Sequence, residues 1–73
     1  MKANNEIKGY CIFQPEYGEP VILAGCVCLG DGTIMGSLIG KAGIKIYNQR
    51  YMIAKATSPT IARSFVQKQM ELV

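Results

Sequence analysis

The residues of this chain that could do chemistry are three cysteines, Cys11, Cys26 and Cys28, in a sequence that contains no histidine. A cysteine becomes a strong nucleophile when a neighbouring base or cation favours its thiolate, and histidine is the usual base. A closed zinc site needs four ligands, so the fourth would be a carboxylate, a water or a partner's residue. Because free cysteines are among the most buried residue types, we expect structural thiols and predict no enzymatic activity, metal site or cofactor.

The second chemical feature is an uneven distribution of charge. Residues 1–36 carry two lysines against four acidic residues, whereas residues 37–73 carry six basic residues against one acidic residue. Such asymmetry can mark a surface for nucleic acid or for an acidic protein. Most of these cations stand singly between apolar residues, which is equally typical of an ordinary solvated surface. The charge pattern leaves both interpretations open.

Length and composition indicate one small globular domain. The chain has 73 residues, of which 49% are hydrophobic and 18% charged, so we expect residues 1–73 to form a single domain. At this size one core stabilises a fold only marginally, and association with a second chain is a reasonable expectation. The first nine residues, MKANNEIKG, lack the apolar segment of a signal peptide. Together with the odd number of cysteines, this predicts a cytoplasmic protein.

The most apolar stretch is residues 19–40, EPVILAGCVCLGDGTIMGSLIG. Its glycines at positions 32, 36 and 40 are spaced by four, as in closely packed membrane helices. Asp31, however, lies near the middle, where a charge costs at least about 2.5 kcal/mol in a bilayer. An Asp-Gly pair between apolar runs is instead a strong hairpin signal. We therefore predict two strands joined at Gly30-Asp31-Gly32, and no membrane insertion.

The remaining elements follow from the same rules. Residues rich in β-branched and aromatic types predict strands at Ile7–Gln14, Val21–Leu29, Thr33–Ile39, Ile44–Tyr47 and Arg50–Ala56. A turn at Asn48-Gln49 would join the last two strands as a hairpin. Ser58 and Pro59 predict the start of a helix, with an apolar stripe formed by Ile61, Ala62, Phe65, Val66, Met70 and Val73. The predicted fold is α+β: an antiparallel β-meander of four to five strands with one C-terminal helix packed on one face.

The predicted strand Val21–Leu29 is apolar on both faces. Strict alternation places Val21, Leu23, Gly25, Val27 and Leu29 on one face and Ile22, Ala24, Cys26 and Cys28 on the other. A single helix can cover one face only, so the second face needs another cover. That cover could be a second copy or a larger protein bound at Val21, Leu23, Val27 and Leu29. Alternatively, the sheet curls into a small barrel and covers itself.

One motif resembles a known nucleic-acid-binding family. Residues 38–44, LIGKAGI, resemble the G-x-x-G loop of KH domains, which clamps a nucleic-acid backbone. The segment 51–73 is similar in pattern to the last strand and helix of that fold. The resemblance implies that Gly40, Lys41 and Gly43 contact the nucleic acid. A plain surface turn explains the same residues.

A second nucleic-acid hypothesis uses the last two predicted strands as a ribbon. Lys45, Arg50 and Lys55 would point from that ribbon into a major groove, with tyrosines at positions 47 and 51 between them. Affinity for phosphates depends on the number of cations, and few are available here.

Taken together, the sequence predicts a small non-enzymatic binding protein that associates with itself or with a larger protein and modulates it. Small chains of this sort, without histidine, resemble in type the accessory and inhibitor proteins of phages and mobile elements. The alternative is a nucleic-acid-binding module that uses the basic C-terminal half.

Overall fold

The computed structural model describes residues 6–71 and contains the predicted elements. Five antiparallel strands form one sheet, and one helix follows them, so the chain has an α+β fold. The elements are β1 (Tyr10–Phe13), β2 (Val21–Cys28), β3 (Thr33–Leu38), β4 (Ile44–Asn48), β5 (Met52–Ala56) and α1 (Pro59–Glu71). The strands lie in the order β4-β3-β2-β1-β5, which confirms a meander whose fifth strand returns to pair with the first.

The sheet is strongly curled. Strands β4 and β5 occupy opposite ends of the strand order, yet only a three-residue 3₁₀ turn, Gln49–Tyr51, connects them. In a flat five-stranded sheet the outer strands would lie about 19 Å apart, whereas three residues of 3₁₀ helix advance about 6 Å. The ring of Phe13 on β1 stacks on that of Tyr47 on β4, with 5.3 Å between the centroids. Since β2 and β3 lie between these strands, the sheet must bend back on itself.

The predicted hairpin between the last two strands is wrong. Strand β5 pairs with β1 rather than with β4. Asn48 caps the 3₁₀ turn, because its side-chain Oδ1 accepts a hydrogen bond of 3.0 Å from the backbone N–H of Arg50. Tight hairpin turns need positive φ at their central residues, which Gln49 and Arg50 do not favour, and no non-glycine residue in the described chain has positive φ.

Curling produces two apolar cores, one on each face of the sheet. The inner core, on the concave face, contains Cys11, Phe13, Leu23, Cys26 and Ile34. The outer core, beneath α1, contains Ile12, Ile22, Ala56 and Ala62, with Phe65 and Val66 packed against them. Cys11, Phe13 and Leu23 are fully buried. The sheet therefore covers its own inner face, and no second chain is required there.

A β-bulge in β2 changes which residues face inward. The register between β2 and β3 shifts between Ala24 and Val27, and Gly25 at this point has a φ of +61°. Leu23 faces the inner core before the bulge, and Cys26 faces it afterwards. The faces predicted by strict alternation are therefore wrong beyond Gly25, because a bulge inserts one residue that does not alternate.

The spaced glycines have separate roles in strands and turns. Gly32, with a φ of +90°, lies in the turn between β2 and β3, where Asp31 Oδ1 accepts a 3.1 Å hydrogen bond from the N–H of Thr33. Gly36 lies within β3 and is buried, and Gly40, with a φ of +75°, lies in the turn before β4. Within residues 6–71, no helix has the length and apolar character needed to cross a membrane.

The helix begins as predicted. Ser58 Oγ accepts a hydrogen bond of 3.2 Å from the N–H of Ile61, which caps the first turn. Helix α1 packs on β1, β2 and β5. The buried stripe is narrower than predicted, because Ile61 and Met70 remain about half exposed. Val73 lies outside the described residues.

Candidate binding surfaces

The cysteine thiols belong to the packing of the inner core. Cys11 and Cys26 are buried and unbridged, and Cys28 is half-buried. The Cys26 thiol donates a hydrogen bond of 3.5 Å to the carbonyl oxygen of Leu23. Burial raises the pKa of Cys26 to about 12, and burial also raises the pKa of Cys11. Residues 6–71 contain no cluster of three potential metal ligands.

We expect the protein to lose stability in alkaline solution because of these thiols. A raised pKa means that the unfolded state releases its proton first, so the stability present below about pH 9 falls as the pH rises toward 12. The slope for one such thiol is at most about 1.4 kcal/mol per pH unit. Urea unfolding at several pH values above 8 should show a flatter decline for Cys26→Ala than for the wild type. If the free energy of unfolding fell with pH equally in both proteins, Cys26 would not contribute to the alkaline loss of stability.

The first candidate surface lies on the convex side of β3 and β4, beyond the helix. Val27 pairs with Met35, and Met35 pairs with Ile46, so these side chains form one apolar row across three strands. Ile44 lies two residues before Ile46 on the same face. The exposed fractions of Ile44 and Ile46 are 64% and 55%. We call these four residues, Val27, Met35, Ile44 and Ile46, the outer β3–β4 surface.

Strand β4 is also an edge of the described sheet, since it pairs with β3 alone. The N–H of Gln49 donates to the carbonyl of Gly32, and the carbonyl of Gly43 accepts from Leu38, so odd-numbered positions of this segment face β3. Because backbone groups alternate along an antiparallel strand, Ile44, Ile46 and Asn48 point their N–H and C=O groups away from β3. The apolar side chains and the open backbone edge therefore occur at the same residues.

The residues predicted to bind a partner do not form one surface. Leu23 is fully buried in the inner core, and Val21 packs against that core. Leu23 therefore has no surface to offer a partner, contrary to its predicted role. Val27 faces the opposite side as part of the outer β3–β4 surface, while Leu29 is 43% exposed beyond the end of β2. The bulge at Gly25 separates residues that alternation grouped together.

The second candidate surface is an open cleft of about 520 Å³ between the β1–β2 loop and the β3–β4 turn. Three cations border it from different elements: Lys41 on the turn, Lys45 on β4 and Arg63 on α1. Its other lining residues include Tyr17, Tyr47, Glu19, Pro15, Pro20 and Leu38. We call this the cationic cleft. It combines three positive charges, one carboxylate and two aromatic rings.

The structure brings together only part of the predicted nucleic-acid set. Lys41 and Lys45 both border the cationic cleft. Arg50 instead lies over the ring of Tyr51, with 5.0 Å between its guanidinium carbon and the ring centroid. Lys55 pairs with Cys11 across β5 and β1 and does not line the cleft. Because β4 and β5 are not paired, the predicted DNA-binding ribbon does not exist.

The resemblance of residues 38–44 to a KH loop does not extend to the elements that the loop connects. Gly40 and Gly43 belong to the turn between two strands, β3 and β4, whereas the corresponding KH loop joins two helices. The β-branched alternation of Ile44 and Ile46 explains why a strand follows the turn. Gly40 and Gly43, with φ values of +75° and +132°, provide the turn geometry.

The sequence interpretation missed residues of both surfaces, among them Ile44, Ile46, Tyr17 and Arg63. A signal for the first two was present, because alternation puts Ile44 and Ile46 on one face of β4 and Lys45 and Tyr47 on the other. No local pattern connects Tyr17 in a loop with Arg63 on the helix. Their proximity depends on the curled sheet.

The fold and the two surfaces define a class of protein, a small α+β domain with a curled five-stranded meander and a C-terminal helix. Comparison with protein-family profiles, curated proteins and solved structures gives no match to this chain.

Proposed function

We propose that this chain is a non-enzymatic binding protein that associates with a second copy of itself through the outer β3–β4 surface. The observation that carries the proposal is the exposure of Ile44 and Ile46, 64% and 55%, on a strand at the edge of the described sheet. Exposed apolar edges template pairing with other strands unless they are covered or protected by charge. A further protein partner could then be modulated by this dimer.

The residues of β4 favour one register for the pairing of the two β4 strands in the dimer. A two-fold axis through Ile46 pairs β4 antiparallel with its copy, so that Ile46 meets its counterpart and Ile44 meets Asn48 of the second chain. In this register Lys45 meets Tyr47, whereas an axis through Lys45 would place two lysines opposite each other, which is unfavourable. The outward-facing N–H and C=O groups of Ile44 and Ile46, and the N–H of Asn48, are satisfied by the same pairing.

The dimer should be weak and reversible, because four apolar side chains and one short strand make a small interface. Sedimentation velocity over a wide concentration range should show a monomer–dimer equilibrium for the wild type. Ile46→Lys should raise the dissociation constant at least about tenfold, since a lysine buried without a partner costs more than 1.4 kcal/mol.

The matched control is Ile61→Lys, which changes the same residue type at a similar exposure, 54%, on α1. This variant should dimerise like the wild type. A wild-type protein that sediments as a monomer at all concentrations would refute the proposal. An equal rise in the dissociation constant of the dimer for Ile46→Lys and Ile61→Lys would also refute it.

A further inference from the structure

We infer that the cationic cleft binds single-stranded nucleic acid. Lys41, Lys45 and Arg63 converge on this cleft from a turn, a strand and the helix. They are three of the six basic residues in the C-terminal half, and they face one carboxylate, that of Glu19. The cleft is thus a net positive site, suited to a chain that carries repeated negative charge.

The aromatic residues favour nucleic acid over an acidic peptide as the occupant. Tyr17 on the β1–β2 loop is 86% exposed, so its ring face is free for an unpaired base. Tyr47 holds one ring face against Phe13 and also lines the cleft. Single-strand sites combine a cationic groove for the backbone with aromatic rings on which bases stack. A carboxylate-rich peptide would use the cations but gain little from the rings.

The shape of the site favours a single strand over a duplex. The cations line a concave cleft of about 520 Å³, a volume in the range of small-ligand pockets. Duplex readers instead insert a projecting helix or strand ribbon into a groove. The inference does not depend on the proposed dimer, because every lining residue of the cleft belongs to one chain.

The test is fluorescence anisotropy with labelled mixed-sequence 12-nucleotide RNA and DNA, titrated with the full chain at several salt concentrations. Three phosphate contacts predict a slope of log affinity against log salt of about −2, or an affinity loss of about 15- to 20-fold between 50 and 200 mM salt. Lys41→Ala and Lys45→Ala should each weaken binding and flatten the slope by about 0.7.

Four further variants separate the contributions of stacking and of charge to binding from general effects of substitution. Tyr17→Ala should weaken binding at least about fivefold through lost stacking, while Tyr17→Phe should retain it. Glu19→Gln should strengthen binding, because it removes the one carboxylate that lines the cleft. Lys68→Ala is the matched control: it removes an equal charge from α1 at an exposed position that does not line the cleft.

Several outcomes would overturn the inference. One is the absence of binding to either oligonucleotide at 20 mM salt, and another is an equal loss of affinity for Lys68→Ala and Lys45→Ala. Tighter binding to a duplex of the same length would also overturn it. So would displacement of the oligonucleotide by an equimolar glutamate dodecapeptide. All the substituted side chains are exposed. Unchanged circular dichroism spectra will show that the variants are folded.

Discussion

Phe13→Ala is expected to destabilise the protein by about 3–5 kcal/mol, the usual range for truncating a buried aromatic residue. Phe13 is fully buried in the inner core and pairs with Val21 on one neighbouring strand and Met52 on the other. Its ring also stacks on Tyr47 across the curled sheet. The substitution removes core volume and the contact by which β1 and β4 meet, so urea unfolding should shift to much lower concentrations.

The milder variant Phe13→Leu keeps the measurement possible if alanine leaves too little folded protein. A double-mutant cycle of Phe13→Leu with Tyr47→Leu should show a coupling of about 0.5–1.5 kcal/mol, as for other stacked aromatic pairs. Tyr17→Ala, which removes an aromatic residue that is 86% exposed, should change stability by less than about 0.5 kcal/mol. Additive effects of Phe13→Leu and Tyr47→Leu would contradict the stacking contact.

The local elements of this fold could be predicted because local chemistry determines them. Ser58 and Pro59 start the helix through a cap and a fixed φ, and Gly30 and Gly32 start and end the turn between β2 and β3 with positive φ. These signals depend on one to four residues of sequence. They predicted the meander and the C-terminal helix that the structure contains.

The sequence predicted closure of the sheet only as one of two alternatives, because closure depends on contacts between distant residues. The predicted strand Val21–Leu29, apolar on both faces, fitted a bound partner and a sheet that curls on itself equally well. In the structure the 3₁₀ turn at Gln49–Tyr51 links β4 to β5, although these two strands do not pair, and Phe13 meets Tyr47. The bulge at Gly25 then moves Cys26 inward. An isolated glycine in a strand suggests a bulge, but it does not say which neighbour changes face.

For the candidate surfaces too, the sequence predicted some residues and missed those that distant contacts bring together. Lys41 was predicted to contact nucleic acid through a KH-like loop and Lys45 through a β-ribbon, and the structure places both at one cleft. Arg50 and Lys55 were grouped with Lys45 through a hairpin that does not form. Arg63, which does border the cleft, arrives from the helix because α1 packs across β1, β2 and β5.

Gly36→Ala is expected to destabilise the protein by about 1–3 kcal/mol, the typical effect of overfilling a packed core. A Cβ atom at this position would lie 2.8 Å from the Cys26 sulfur and 2.9 Å from the Leu23 Cβ, both below normal contact distance. The backbone of Gly36 is not in the left-handed region, so the effect isolates packing from backbone strain. Ser37→Ala, at the next and exposed position of β3, should change stability by less than about 0.5 kcal/mol.

Combining Gly36→Ala with Cys26→Ala identifies the contact. Removing the sulfur relieves the closer of the two clashes, so Gly36→Ala should destabilise the Cys26→Ala background less than the wild type, while the Leu23 contact keeps the rescue partial.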